Sequence, residues 1–163
     1  MRIRTKGIMA MVPVLAVLLT ALPSLAGVNV QCLGDTDGDA QWATAGETQP
    51  GNTQCMHLAA GDGFVTMADG HLQNMFGFSD VTGVAPADVM DTGMLAAQFP
   101  GPTITIKEGT NFYLTLSNVG MVMRPDLFDP HTVHFHGFPN ASSIFDGEPM
   151  ASISINMGSS LTY

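Results

Sequence analysis

The chain has 163 residues, of which 45% are hydrophobic and 12% charged, with 14 acidic side chains against five basic ones and a formal net charge of -9. That length supports one domain with a buried core. The acidic balance excludes the basic footprint of a nucleic-acid binder and disfavours anionic membrane surfaces as partners.

Residues 1–26 read apart from the rest. Arg2, Arg4 and Lys6 precede the uncharged apolar run "IMAMVPVLAVLLTAL", and Ser24 and Ala26 supply small residues for cleavage after Ala26. This is the pattern of a secretory signal peptide, with a retained N-terminal anchor as the alternative, and no later segment is apolar enough to span a bilayer. The expected location is therefore periplasmic, outer-surface or secreted. Removing the signal leaves Lys107 and Arg124 against all 14 carboxylates, a field that attracts cations. Export also sets an oxidising compartment, so Cys32 and Cys55 are expected to form a disulfide, contributing about 3 kcal/mol by restricting the unfolded chain. A copper thiolate at either cysteine is the alternative, supported only by "CMH" at 55–57.

Residues 27–63 are rich in Gly, Asp, Thr and Gln without sustained periodicity, and read as a loop-rich extension held by the disulfide. Within it Asp35, Asp37 and Asp39 alternate like the start of a calcium loop. Ala40 stands where the turn glycine belongs, and position 46 is Gly rather than the closing Glu, so a solvated acidic turn is the reading.

Strand signals become regular over 64–163. "FVTMADGHLQNMFGFS" places Asp-Gly between two apolar runs, as in a hairpin. "TITIKEG" alternates Ile104 and Ile106 with threonines, and "NFYLTLSN" alternates Phe112, Leu114 and Leu116 with Tyr113, Thr115 and Ser117. "HTVHFHGF" and "ASISINM" follow, the second with Ile153 and Ile155 between serines. Short strands, Gly, Pro and Asn punctuation and no helical pattern after residue 26 indicate an all-β sandwich or barrel.

The chemistry concentrates in "HTVHFHG", residues 131–137, which holds three of the five histidines. On a strand His134 and His136 project to one face while Val133 and Phe135 point into a core. His131 follows Asp129-Pro130, before the strand has settled, and need not share their site. Imidazoles in this pattern suit copper, zinc, iron or nickel. The bland reading makes one or two of them structural histidines. A zinc hydrolase would want a carboxylate base nearby, and Asp129 and Asp146 sit among turn residues. Methionines such as those of "MVMRP" at 121–125 can bind copper(I), but packing is the favoured role. Asn140-Ala141-Ser142 fits a glycosylation acceptor on three residues only.

"AAQFPGPTITIKEGTNFYLTLSN", then "HTVHFHGF", "FDGEP" and "INMGSSLTY", resemble in content and order the first cupredoxin domain of the multicopper oxidase (laccase-like) family. The resemblance covers residues 64–163 and is weak before about residue 95. It implies a cupredoxin-like Greek-key β-sandwich, incomplete at its C-terminal end. It implies copper as cofactor, with His134 on a type 2 copper and His136 on a type 3 copper. His131 occupies the offset at which the family's C-terminal motif binds a type 1 copper; its alternative is a turn histidine or a donor behind the ligands. The implied reaction oxidises a phenolic or metal-ion donor one electron at a time and reduces dioxygen to water, in a homo-oligomer if the protein is of the two-domain type. The departures are the absence of any cysteine after Cys55 and of the later histidine motifs, so the 163 residues read as part of a longer oxidase and as inactive alone. A copper nitrite reductase-like enzyme is the runner-up, disfavoured because such enzymes generally carry Asp at the place of His134. A non-enzymatic cupredoxin-like copper-binding protein is the third reading.

Overall fold

The computed structural model describes residues 28–148 and 150–163. The run expected to be a signal peptide lies outside them. Among the described residues, no helix is long and apolar enough to cross a membrane.

Four strands carry the fold: β1 (Thr53–Thr66), β2 (Leu72–Asp80), β3 (Asn111–Gly120) and β4 (Ser160–Thr162). Among the described residues, one short helix, α1 (Val89–Gly93), and a 3₁₀ turn at Ser143–Phe145 complete the regular structure. The sheet order is β2-β1-β3-β4, with β1 parallel to β3 and the other pairs antiparallel. The all-β expectation holds: the strands form a mixed sheet, consistent with a cupredoxin-like fold.

The expected hairpin is β1–β2. Its turn closes where Met67 N–H donates to His71 O at 2.8 Å and Gly70, at φ 84°, takes the left-handed conformation that glycine adopts without strain. β1, however, begins at Thr53, well inside the stretch that reads as loop. Its residues from Met56 to Gly63 are buried, so apolar and small side chains occur on both faces and no alternation appears.

Both faces of the sheet are covered. Met56, Leu58 and Ala60 of β1 join Leu114 and Leu116 of β3 and Ile155 in one cluster. On the opposite face Ala59 and Val119 pack with Val81 and Val89. Gly93 lets α1 close on that face, since a Cβ there would lie 2.6 Å from Ala59 Cβ. Cys32 and Cys55 form the expected disulfide, which ties the N-terminal loop to β1. Asp35 spends its carboxylate on the backbone N–H groups of Asp37, Gly38 and Ala40, and Asp37 accepts the Thr44 hydroxyl at 2.6 Å, in keeping with an acidic turn.

Three expected strands stand outside the ladders. Residues 103–109 pair with nothing in the sheet, and Ile104 and Ile106 are exposed. The segments 131–137 and 151–157 meet only in one bridge, His131 to Ile155. Ile104 and Ile106 line an apolar groove of about 800 Å³ together with Phe112, Phe135, Phe138 and Tyr163.

Candidate metal centre

Past His131 the heptad 131–137 is held by side chains rather than by a strand partner, so it forms one bridge and no ladder. His131 exchanges two backbone hydrogen bonds with Ile155, at 3.1 and 2.9 Å. Beyond it the Val133 N–H donates to the Tyr163 hydroxyl at 3.3 Å and the Phe135 N–H to Asp146 Oδ1 at 3.0 Å. The period of two survives all the same. Val133 and Phe135 pack on the core cluster containing Leu114 and Leu116, while His134 and His136 face solvent with ring centroids 5.9 Å apart at 88°.

The Asp146-Gly147 turn holds His134 from behind. His134 Nδ1 lies 2.8 Å from the Asp146 carbonyl oxygen. A carbonyl only accepts, so Nδ1 carries the proton and the Nε2 lone pair is left for a metal. Asp146 Oδ1 stands 3.3 Å and Glu148 Oε1 3.7 Å from the same nitrogen. The carbonyl contact, with the two carboxylate charges behind it, raises the His134 pKa above the ordinary imidazole value. Gly147 is at φ 72°, and a Cβ on it would sit 2.6 Å from Val133 O, so only glycine lets the turn lie against the heptad.

His131 faces elsewhere. Its ring meets Phe78 edge-on, centroids 6.3 Å apart, and its buried Nε2 has no hydrogen-bond partner. Burial lowers its pKa, which keeps the ring neutral and the lone pair available. Among the described residues, the group of three that brings donor atoms within 4.8 Å of one another is Asp35, Asp37 and Asp39, not the histidines. The three imidazoles therefore do not converge on one ion.

Two half-free imidazoles side by side and a third with an orphaned nitrogen form a donor set suited to copper. Sequence reading passed over Asp146 as a turn residue, although "FDGEP" carried the signal, and gave no role to Glu148, Phe78 or the Tyr163 hydroxyl. The copper-thiolate alternative is corrected: both sulfurs are spent on the disulfide, and His57 is buried against Ser117, with Nε2 and Oγ 2.8 Å apart.

A protein-family model described as "Multicopper oxidase" matches residues 82–163. The chain belongs to the multicopper oxidase family. No curated protein matches it. The matched region includes β3, β4, the histidine heptad and the Asp146-Gly147 turn, so the features that hold His134 and His136 belong to the multicopper oxidase part of the chain. The family implies copper binding and oxidoreductase chemistry.

Proposed function

We propose that this chain is the N-terminal part of an exported multicopper oxidase. It contributes His134 and His136 to the copper cluster at which dioxygen is reduced, and His131 to a separate type 1 copper. Bound copper would supply one-electron transfer, so that four electrons from a phenolic or metal-ion donor, with four protons, convert dioxygen to two waters. The chain's own part is to hold nitrogens. Asp146 keeps the His134 proton on Nδ1 and directs Nε2 outward, and Phe135 and Val133 anchor the strand that presents both rings. The observation that carries the reading is the paired rings of His134 and His136, with His134 clamped by the Asp146-Gly147 turn, within the family-matched segment.

The disulfide supports an exported location. It also removes the only thiols, so a type 1 copper at His131 needs a thiolate from another segment or subunit, and these 163 residues alone are proposed not to turn over. That same observation favours, as a second reading, a copper-binding cupredoxin-like protein without catalysis.

Copper titration of the purified chain, followed by electron paramagnetic resonance and metal analysis, tests the assignment. Nitrogen-ligated copper(II) is expected, reduced by His134→Ala or His136→Ala and little changed by His71→Ala. Equal copper uptake in all three variants would refute the assignment.

A further inference from the structure

His57 is a titratable group that the copper chemistry does not use. It lies on β1 with Cys55 and Ala59, facing away from the cluster of Leu58 and Leu116, and it is fully buried. Opposite it across the sheet stands Thr115 of β3, and opposite Thr115 stands Thr162 of β4. Ser117 and Ser160 continue that face. Nε2 of His57 contacts Ser117 Oγ at 2.8 Å, but its buried Nδ1 has no partner, and nor has the buried Ser79 Oγ on β2 opposite Ala59. The result is a polar row inside the protein with two unsatisfied groups, each of which costs free energy relative to a hydrated one.

Residues 28–32 run along this same row. Asn29 N–H donates to Ser160 Oγ at 2.9 Å and Gln31 N–H to Thr162 Oγ1 at 3.2 Å. Val28 packs on the cluster containing Ala59, and Cys32 is bonded to Cys55, two positions before His57. The segment thus has one covalent tether and two side-chain acceptors on β4. Two such bonds are few beside the continuous ladders of β1 and β3.

We infer that residues 28–31 are an acid-released strap: protonation of His57 lifts them from the sheet while the Cys32–Cys55 tether and the sheet itself stay in place. A cationic ring needs both nitrogens to donate, and Nδ1 finds no acceptor until the strap admits water. The surroundings cannot compensate. The strap residues 28–32 carry no ionisable group, β3 and β4 present hydroxyls at Tyr113, Thr115, Ser117, Ser160 and Thr162, the segment after β2 presents the Thr82 hydroxyl to the His57 backbone, and α1 adds Asp91 after its capping residue Asp88. Asp80, at the end of β2, is the charge that acts on the ring; it favours the cation, but less than burial opposes it. Burial brings the His57 pKa from 6.5 down to about 4. The sign follows: the strapped form is fully favoured above pH 6.5 and loses its advantage as pH falls towards 4, with strap opening rising by up to about tenfold per pH unit.

Amide hydrogen exchange by NMR on the full chain with its disulfide intact, corrected for intrinsic rates, reads this out. Protection of the Asn29 and Gln31 amides is expected to fall through this window while that of Ala60 and Leu116 persists, and His57→Gln is expected to make strap protection flat with pH. Loss of Ala60 and Leu116 protection at the same pH would mean whole-sheet unfolding and would overturn the strap. An unchanged slope in His57→Gln would overturn the role of His57. Should that variant not fold, Ser160→Ala decides: loosening the strap must raise the His57 titration midpoint towards 6.5, because the coupling is reciprocal, and an unmoved midpoint refutes it.

Discussion

At the scale of single residues, the histidines differ less in kind than in what stands behind them. His57 and His131 are pushed towards neutrality by burial, while His134 is pushed towards its cation by the Asp146 carbonyl and by the charges of Asp146 and Glu148. A raised pKa means that the contact stabilises the fold below the unfolded-state value and is lost as pH rises through the folded one. Glu148→Gln removes one of the raising charges and leaves the carbonyl hydrogen bond in place. The His134 midpoint in copper-free protein, followed by NMR, is therefore expected to fall while Nδ1 keeps its proton in the neutral ring. An unchanged midpoint would show that Glu148 exerts no field at this site. The sequence displayed the ligand candidates but not this ordering, because proton placement depends on which carbonyl the fold brings to Nδ1, twelve residues away.

At the scale of elements, β3 and the β1–β2 hairpin were readable because each offers a signal tied to a physical need: Phe112, Leu114 and Leu116 on the apolar cluster with Thr115 and Ser117 on the other face, or a left-handed glycine in a tight turn. Residues 103–109 carry the same alternation and join no ladder, since alternation records which side is apolar and not whether a partner is present. β1 failed in the opposite direction, as Ala59, Ala60, Gly61 and Gly63 put small residues on both of its buried faces and erased the alternation. The heptad fell between these cases, keeping the two-residue period while Asp146 and Tyr163 took the place of a neighbouring strand. That substitution makes the Asp146-Gly147 turn a structural member of the site. Gly147→Ala forces a left-handed alanine against Val133 O, so it should destabilise the chain by at least about 1 kcal/mol and loosen His134. Urea denaturation checks the first effect, and weakened copper uptake relative to the wild type checks the second. Unchanged copper affinity in a destabilised Gly147→Ala would mean that the turn holds the fold but not the ring.

At the scale of the whole molecule, the disulfide decides two matters together, the anchoring of the N-terminal loop and the redox chemistry open to the chain. By closing a 23-residue separation it is expected to contribute about 2–4 kcal/mol, and it leaves no thiolate for copper. A blue type 1 centre requires a cysteine sulfur as well as imidazole. Copper loading of the oxidised chain should therefore give nitrogen-ligated copper at the heptad without the intense blue thiolate band, and mass spectrometry of the unreduced protein should show Cys32 linked to Cys55. Reduction frees both sulfurs, but His131 sits with Phe78 and Ile155, on the core side of the sheet, whereas Cys55 shares the face of His57. The two halves of a type 1 site are thus presented on different faces, and reduction followed by copper should still leave the heptad copper without the intense blue band while the urea midpoint drops. Intense blue absorption in the oxidised chain would show that copper had opened the disulfide, and the same band appearing only after reduction, and lost in His131→Ala, would show that the sheet rearranges to bring sulfur and imidazole together.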